Sequence, residues 1–194
     1  MEEKKQTFET NLDQQITEAV NRGSLQPLID QARGLYSYVF SDSFHMGKAD
    51  HVTENDIVRF EEQLVTPLAT IARKHGIEVL LEGLDNGESL PLHGSIIEAL
   101  ATIKDPRAVE SLLRASRRRY EFRKKALAAV ARIKSVDVII KILSDSYEDV
   151  TTRTIAAEIL GEMGDTIVVE PLIETLNSGF NDWMLRREAA TALG

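Results

Sequence analysis

Past residue 75 the apolar positions of this chain fall into short helical stripes, and the stripes recur about every thirty residues. Val109, Leu112 and Leu113 have the spacing i, i+3, i+4 that places three side chains on one helix face. Ile139, Ile142 and Leu143 repeat it, and so do Val169, Leu172 and Ile173. A second stripe follows each first one. Arg123, Ala126, Val130 and Ile133 align with Arg153, Ala156, Leu160 and Met163. Arg186, Ala189, Ala190 and Leu193 align with Arg153, Ala156, Ala157 and Leu160, after three extra residues around "NSGFND". An earlier unit fits the same frame, with Ile77, Leu80 and Leu81, then Ile96, Ile97, Leu100 and Ile103, and with His93 where the later units have arginine. The pattern predicts four helix A–helix B pairs, over residues 75–104, 105–134, 135–164 and 165–194. One such pair cannot hide its own apolar stripe, so stacking against its neighbours must supply the core.

Local chemistry supports these boundaries. Asp105 and Pro106 read as an N-cap and first helical residue. Gly164 is placed to end a helix in the left-handed conformation, and "DNGES" and "NSGFND" are turn signals between A and B. The first 74 residues are less regular. Leu12, Ile16, Ala19 and Val20 form a helical stripe that stops near Gly23, "LQPLIDQARGLYSYVF" predicts a second helix, and "SDSFHMGKADHVTEND" is a turn-rich connection. "DIVRFEEQLVTPLATIARKHG" predicts a longer helix interrupted or kinked at Pro67. These three or four helices are expected to form an N-terminal cap over the first repeat. The repeat pattern stops at "TALG", where another helix A is due. That stop reads either as a fragment of a longer protein or as an apolar face left for a partner.

"DPRAVESLL", "VVEPLIETL", "RTIAAEILGEMGD" and "RREAATALG" resemble the HEAT-like repeats named after phycobilisome lyases, in which helix A ends near a Leu-Leu or Leu-Ile pair and helix B opens with Arg and runs through small residues to Leu-Gly. The resemblance covers residues 75–194. It implies an all-α, right-handed solenoid of HEAT-like hairpins with a helical cap. It also implies that the arginine opening helix B is structural, bonding to neighbouring turns. The family includes bilin lyases, regulators and scaffolds, and fold alone does not choose among them.

Composition narrows the function classes. The 194 residues are 43% hydrophobic and 28% charged, with five prolines and 6% aromatics, values of an ordinary helical globular protein. The absence of cysteine removes disulfides, thiolate metal sites and cysteine nucleophiles, and fits a cytoplasmic setting. No apolar run approaches the length of a membrane span, and the start lacks the apolar core of a signal peptide. With a net charge of −8, general affinity for polyanions is disfavoured.

Against that acidic background, "RASRRRYEFRKK" (114–125) holds seven basic residues and one acid. Residues 105–134 carry a net +7 and residues 135–194 a net −7. The cations therefore form one patch and not a stripe along the array. Three readings compete: a solvated ridge neutralised by the acidic units, a site for an acidic protein surface, and a nucleic-acid site. Backbone tracking would need matching cations in successive units, and only Arg123, Arg153 and Arg186 repeat.

No His-Glu pair of the kind a di-iron site needs occurs, and no nucleophile elbow, P-loop or dinucleotide-binding glycine pattern. His45 and His51, with Asp42 and Asp50, read as surface residues. The cluster Tyr36, Tyr38, Phe40, Phe44 and Met46 reads as packing between the cap and the first repeat. Trp183, on the longest A–B turn, suggests contact with a partner. The sequence thus predicts a non-catalytic scaffold or adaptor without a cofactor. It would take an acidic protein partner on a concave helix B face with Arg117, Arg118, Arg119, Arg123, Lys124, Lys125 and Trp183. A bilin-lyase-like chromophore handler and a nucleic-acid-binding solenoid are the alternatives.

Overall fold

The computed structural model describes residues 2–42, 54–133, 136–179 and 182–194. Among them are eleven α-helices, three 3-10 turns and no β-strand. The chain divides into two compact units, residues 1–103 and 104–194.

In the first unit, α1 (Glu2–Arg22) and α2 (Gln26–Asp42) form an antiparallel pair. Gly23 makes the reversal with a φ of 65°, in the region glycine enters without strain. Helix α3 (Glu54–His75) packs against α1 and α5 (His93–Ile103), and α4 (Glu78–Asp85) leans on α3 and α5. A 3-10 turn, Gly87–Leu92, joins α4 to α5 and touches α2. Leu28, Phe60, Leu64, Leu68, Ile71, Leu80, Ile96 and Leu100 fill the core. Helix α3 continues through Pro67, where the sequence suggested an interruption or a kink, so the first of these does not occur. Its ring removes one backbone donor, and the buried Leu64, Leu68 and Ile71 on either side hold the helix against its neighbours. At the far end of α3, Lys74 and His75 donate to the carbonyl of Val20, satisfying an acceptor that the end of α1 leaves open.

The second unit is three helical hairpins: α6 (Ala108–Arg118) with α7 (Arg123–Ile133), α8 (Asp137–Ser144) with α9 (Val150–Met163), and α10 (Val169–Asn177) with α11 (Trp183–Leu193). Each B helix packs on its own A helix. In addition α9 lies between α7 and α11, and α8 lies beside α10. This is the stacking that the thirty-residue period predicted, and the fold is all-α throughout the described residues. Leu112, Ile142 and Leu172 are buried at equivalent A positions, and Ala126, Ala156 and Ala189 at equivalent B positions. The close fit of α9 to α11 depends on Gly161, where a Cβ would lie 2.8 Å from the Cα of Ala192.

Three local expectations are corrected. Helix α6 starts at Ala108, not Pro106, because the Asp105 carboxylate is held two residues on by the N–H and guanidinium of Arg107, which closes a turn ahead of the helix. Val169, expected on the buried stripe, is 42% exposed, because α10 begins there, directly after the 3-10 turn Thr166–Val168 whose last residue, Val168, is buried in its place. Met163, at the end of the B stripe, is 39% exposed on the last turn of α9.

Candidate partner-binding surface

The arginine that opens each B helix of the second unit reaches back to its own A helix. Arg153 Nε donates to the Leu143 carbonyl and Arg186 Nε to the Leu176 carbonyl, both at 2.9 Å, and Arg123 Nε donates to the Ser116 carbonyl at 3.2 Å. These carbonyls belong to the last turns of α8, α10 and α6, where helical partners run out. In the first unit His93 Nε2 lies 3.2 Å from the Asn86 carbonyl, at the corresponding turn. The imidazole thus does with one ring nitrogen what the guanidinium does elsewhere.

The turn that precedes this residue takes two forms. Asp149 and Asp182 are N-caps: Asp149 accepts from the Thr152 N–H and hydroxyl, and Asp182 accepts from the Met184 N–H. After them α9 and α11 begin directly. Arg119 occupies the same place before α7 and makes no side-chain cap, and there the turn is 3-10, Tyr120–Phe122. In either form the residue that follows this cap position is exposed. Tyr120 is 74% exposed, Val150 42% and Trp183 66%, each three residues before the structural arginine of its hairpin. Tyr147, fully open to solvent, lies on the α8–α9 turn three residues before Val150. The Arg123 guanidinium stands 5.6 Å from the centre of the Tyr120 ring, and that of Arg187 stands 5.5 Å from Trp183. Each aromatic ring is thereby braced by a cation, an interaction of about 0.5–1 kcal/mol at exposed sites.

The basic stretch is tied to the following hairpin. Arg117 pairs with Glu148 at 2.9 Å, Arg123 with Asp149 at 3.0 Å, and Lys124 with Glu158 at 2.7 Å and Glu162 at 3.3 Å. The hydrogen bond to Glu158 raises the Lys124 pKa above its ordinary value, with Glu162 adding to it against the opposing effect of burial. Burial pushes the Asp149 carboxyl up, but the Thr152 hydroxyl and N–H and the Arg123 charge together outweigh it, and the pKa falls below the usual carboxylate range. Asp149 thus joins its own helix cap to the preceding hairpin. Of the predicted binding residues, Arg117, Arg123 and Lys124 pair with the following hairpin; Arg118, Arg119 and Lys125 lie around the end of α6 and the start of α7, and all six except Arg123 are exposed.

Trp183 stands at the position of the third hairpin that Tyr120 and Val150 hold in the first two, outside the basic stretch in sequence. Sequence reading singled out Trp183 but missed its equivalence to Tyr120 and Val150. Counting back three residues from each aligned arginine would have shown it. Among the described residues no group of three or more His, Asp or Glu is placed to hold a metal, and no helix is long and apolar enough to cross a membrane. Tyr36, Tyr38 and Phe40 fall on the last turns of α2, whereas Phe44, His45, Met46, Asp50 and His51 lie outside the described residues.

Two stretches, residues 93–118 and 152–178, match the model of the PBS lyase HEAT-like repeat. Each begins in a B helix and ends in the following A helix, half a hairpin out of phase with the frame used above. No curated protein matches the chain.

Proposed function

We propose that this HEAT-like repeat protein is a non-catalytic scaffold that holds a protein partner on the stacked hairpins of its second unit. The observation that carries the reading is the exposed apolar residue at one equivalent position in three successive hairpins, Tyr120, Val150 and Trp183. Exposed in that way, these side chains contribute little to the hairpin cores. Aromatic side chains so presented are where binding energy concentrates in protein interfaces. The neighbouring charge is the exposed basic stretch around Tyr120, within a segment of net +7, and it favours an acidic partner surface beside the Tyr120 end.

The test is charge reversal. Arg118→Glu with Arg119→Glu should leave the far-ultraviolet circular dichroism unchanged, since both side chains are exposed, and should weaken partner capture at low salt. Undiminished capture would reduce the patch to a solvated ridge. A shifted absorption band on adding a linear tetrapyrrole would instead move the protein to the chromophore-handling class.

A further inference from the structure

We infer that Asn86, on the turn between α4 and α5, is a site of spontaneous covalent modification, at which the side-chain carboxamide condenses with the Gly87 backbone nitrogen and is hydrolysed to aspartate and isoaspartate. The inference is independent of the scaffold reading.

Sequence and structure both single out this residue. Among the asparagines of the chain, Asn86 alone precedes a glycine. A side chain on the following residue crowds attack by the backbone nitrogen. Here there is none, and nothing lies within 4 Å of where a Gly87 Cβ would stand. Both residues are exposed, so solvent base reaches the Gly87 N–H, which donates to no backbone carbonyl of the described residues. Asn177 is the contrast. The residue after it, Ser178, carries a side chain and commits its N–H to the Glu174 carbonyl at 3.1 Å. Asn11 and Asn21 lie inside α1, where the next N–H is spent on the helix. Asn55 and Asn181 each precede an aspartate, whose charge opposes ionisation of the N–H.

The chemistry needs only water. Base removes the Gly87 N–H proton, the nitrogen bonds to Cγ of Asn86, and the carboxamide nitrogen leaves as ammonia, closing a cyclic imide. Water then opens the imide at either carbonyl. Breaking the bond from nitrogen to Cγ leaves aspartate in a normal chain. Breaking the bond from nitrogen to the main-chain carbonyl carbon leaves isoaspartate, in which the chain runs through Cγ and the old carbonyl becomes a carboxylate.

The fold sets the pace of this reaction. At the ψ of 124° that Asn86 holds, its side chain and the Gly87 nitrogen lie apart about the Cα–C bond, so the peptide plane must turn before the ring can close. The Asn86 carbonyl resists that turn. It accepts from the Ser89 hydroxyl at 2.8 Å and the Ser89 N–H at 3.3 Å, and lies 3.2 Å from His93 Nε2. The same contacts give the modification its consequence. In isoaspartate the oxygen that Ser89 and His93 share no longer belongs to the main chain, and the turn that sets α4 against α5 must be rebuilt.

The test is to incubate the intact protein at mildly alkaline pH and follow its peptides by mass, with enzymatic methylation to detect isoaspartate. Asn86 is expected to convert several-fold faster than Asn177. The converted protein, separated on an anion exchanger by its added negative charge, should melt at a lower temperature than the unconverted. Gly87→Ala should slow the reaction several-fold without disturbing the fold, because the φ of Gly87 is not positive and the space beside it is open. Ser89→Ala removes one bond to the Asn86 carbonyl and should speed conversion in the folded protein, while it and the native chain react alike in urea. The proposal is overturned when Asn177 converts as fast as Asn86, when the Gly87→Ala protein converts as fast as the native one, or when Ser89→Ala leaves the native rate unchanged.

Discussion

A guanidinium laid across the last turn of a helix satisfies a carbonyl that has no amide left to receive from, and it does so with a charge-assisted bond worth about 1.5–3 kcal/mol. Arg153 does this for α8 from a partly buried position. Arg153→Ala should therefore destabilise the protein by about 1–3 kcal/mol, since both the bond and the packing of the side-chain stem are lost. The check is the denaturant midpoint, with far-ultraviolet circular dichroism showing the helices retained below the transition. The backbone stores a smaller strain at Lys104, the one non-glycine among the described residues with a positive φ, 57°. Gly164 adopts a φ of 62° at the same place in the repeat, sixty residues on. For an L residue other than glycine this conformation costs about 1–2 kcal/mol. Lys104→Gly should thus stabilise the protein by about 1 kcal/mol after glycine's greater chain entropy is set against the relief. A melting temperature that stays the same or falls would mean that the Lys104 side chain contributes more than its backbone costs.

Whole helices are capped in ways that can be read from pH. Asp149 has a folded pKa below the ordinary carboxylate value, so its share of the stability is fully present above an unfolded pKa of about 3.9 and is lost as pH falls through the folded value. Asp149→Asn keeps an acceptor for the Thr152 N–H but removes the charge that meets Arg123. Native protein should exceed this variant in stability at neutral pH, and the gap should close as acid protonates Asp149 below about pH 4. Urea midpoints from pH 7 down to pH 2 would show it, and a constant gap would deny the ion pair any role. At this scale the sequence was most informative, because the period of apolar residues reports helix faces directly. It foretold the A and B helices of the repeats, the left-handed Gly164 and the structural use of Arg153, Arg186 and His93. It did not foretell which acid Arg123 would find. That pairing depends on how two hairpins stack, and Asp149 lies closer in sequence to Arg153. Nor could spacing decide that α6 would wait until Ala108, since the side chain of Arg107 competes for the capping carboxylate.

At the scale of the molecule, charge is segregated along the chain and rejoined by folding. Residues 105–134 carry +7 and residues 135–194 carry −7. The ion pairs Arg117–Glu148, Arg123–Asp149 and Lys124 with Glu158 and Glu162 all cross between these two segments. None of the pairs is deeply buried, so each adds little to stability. Their larger effect is on the field outside, because cations held beside carboxylates release few counterions when a polyanion approaches. Nucleic-acid affinity scales with the phosphates neutralised, with log K falling by about 0.9 per contact for each decade of salt. The basic stretch looks like a nucleic-acid site in the linear sequence, and the fold removes much of what such a site needs. The native protein should therefore fail to retain duplex DNA in a gel shift at about 0.15 M salt. Replacing Glu148, Glu158 and Glu162 by Gln leaves Arg117 and Lys124 without these partners and should produce binding that weakens steeply as salt rises. Retention of duplex by the native protein at that salt would show that the acidic hairpin does not shield the patch, and nucleic acid would then displace a protein as the partner to pursue.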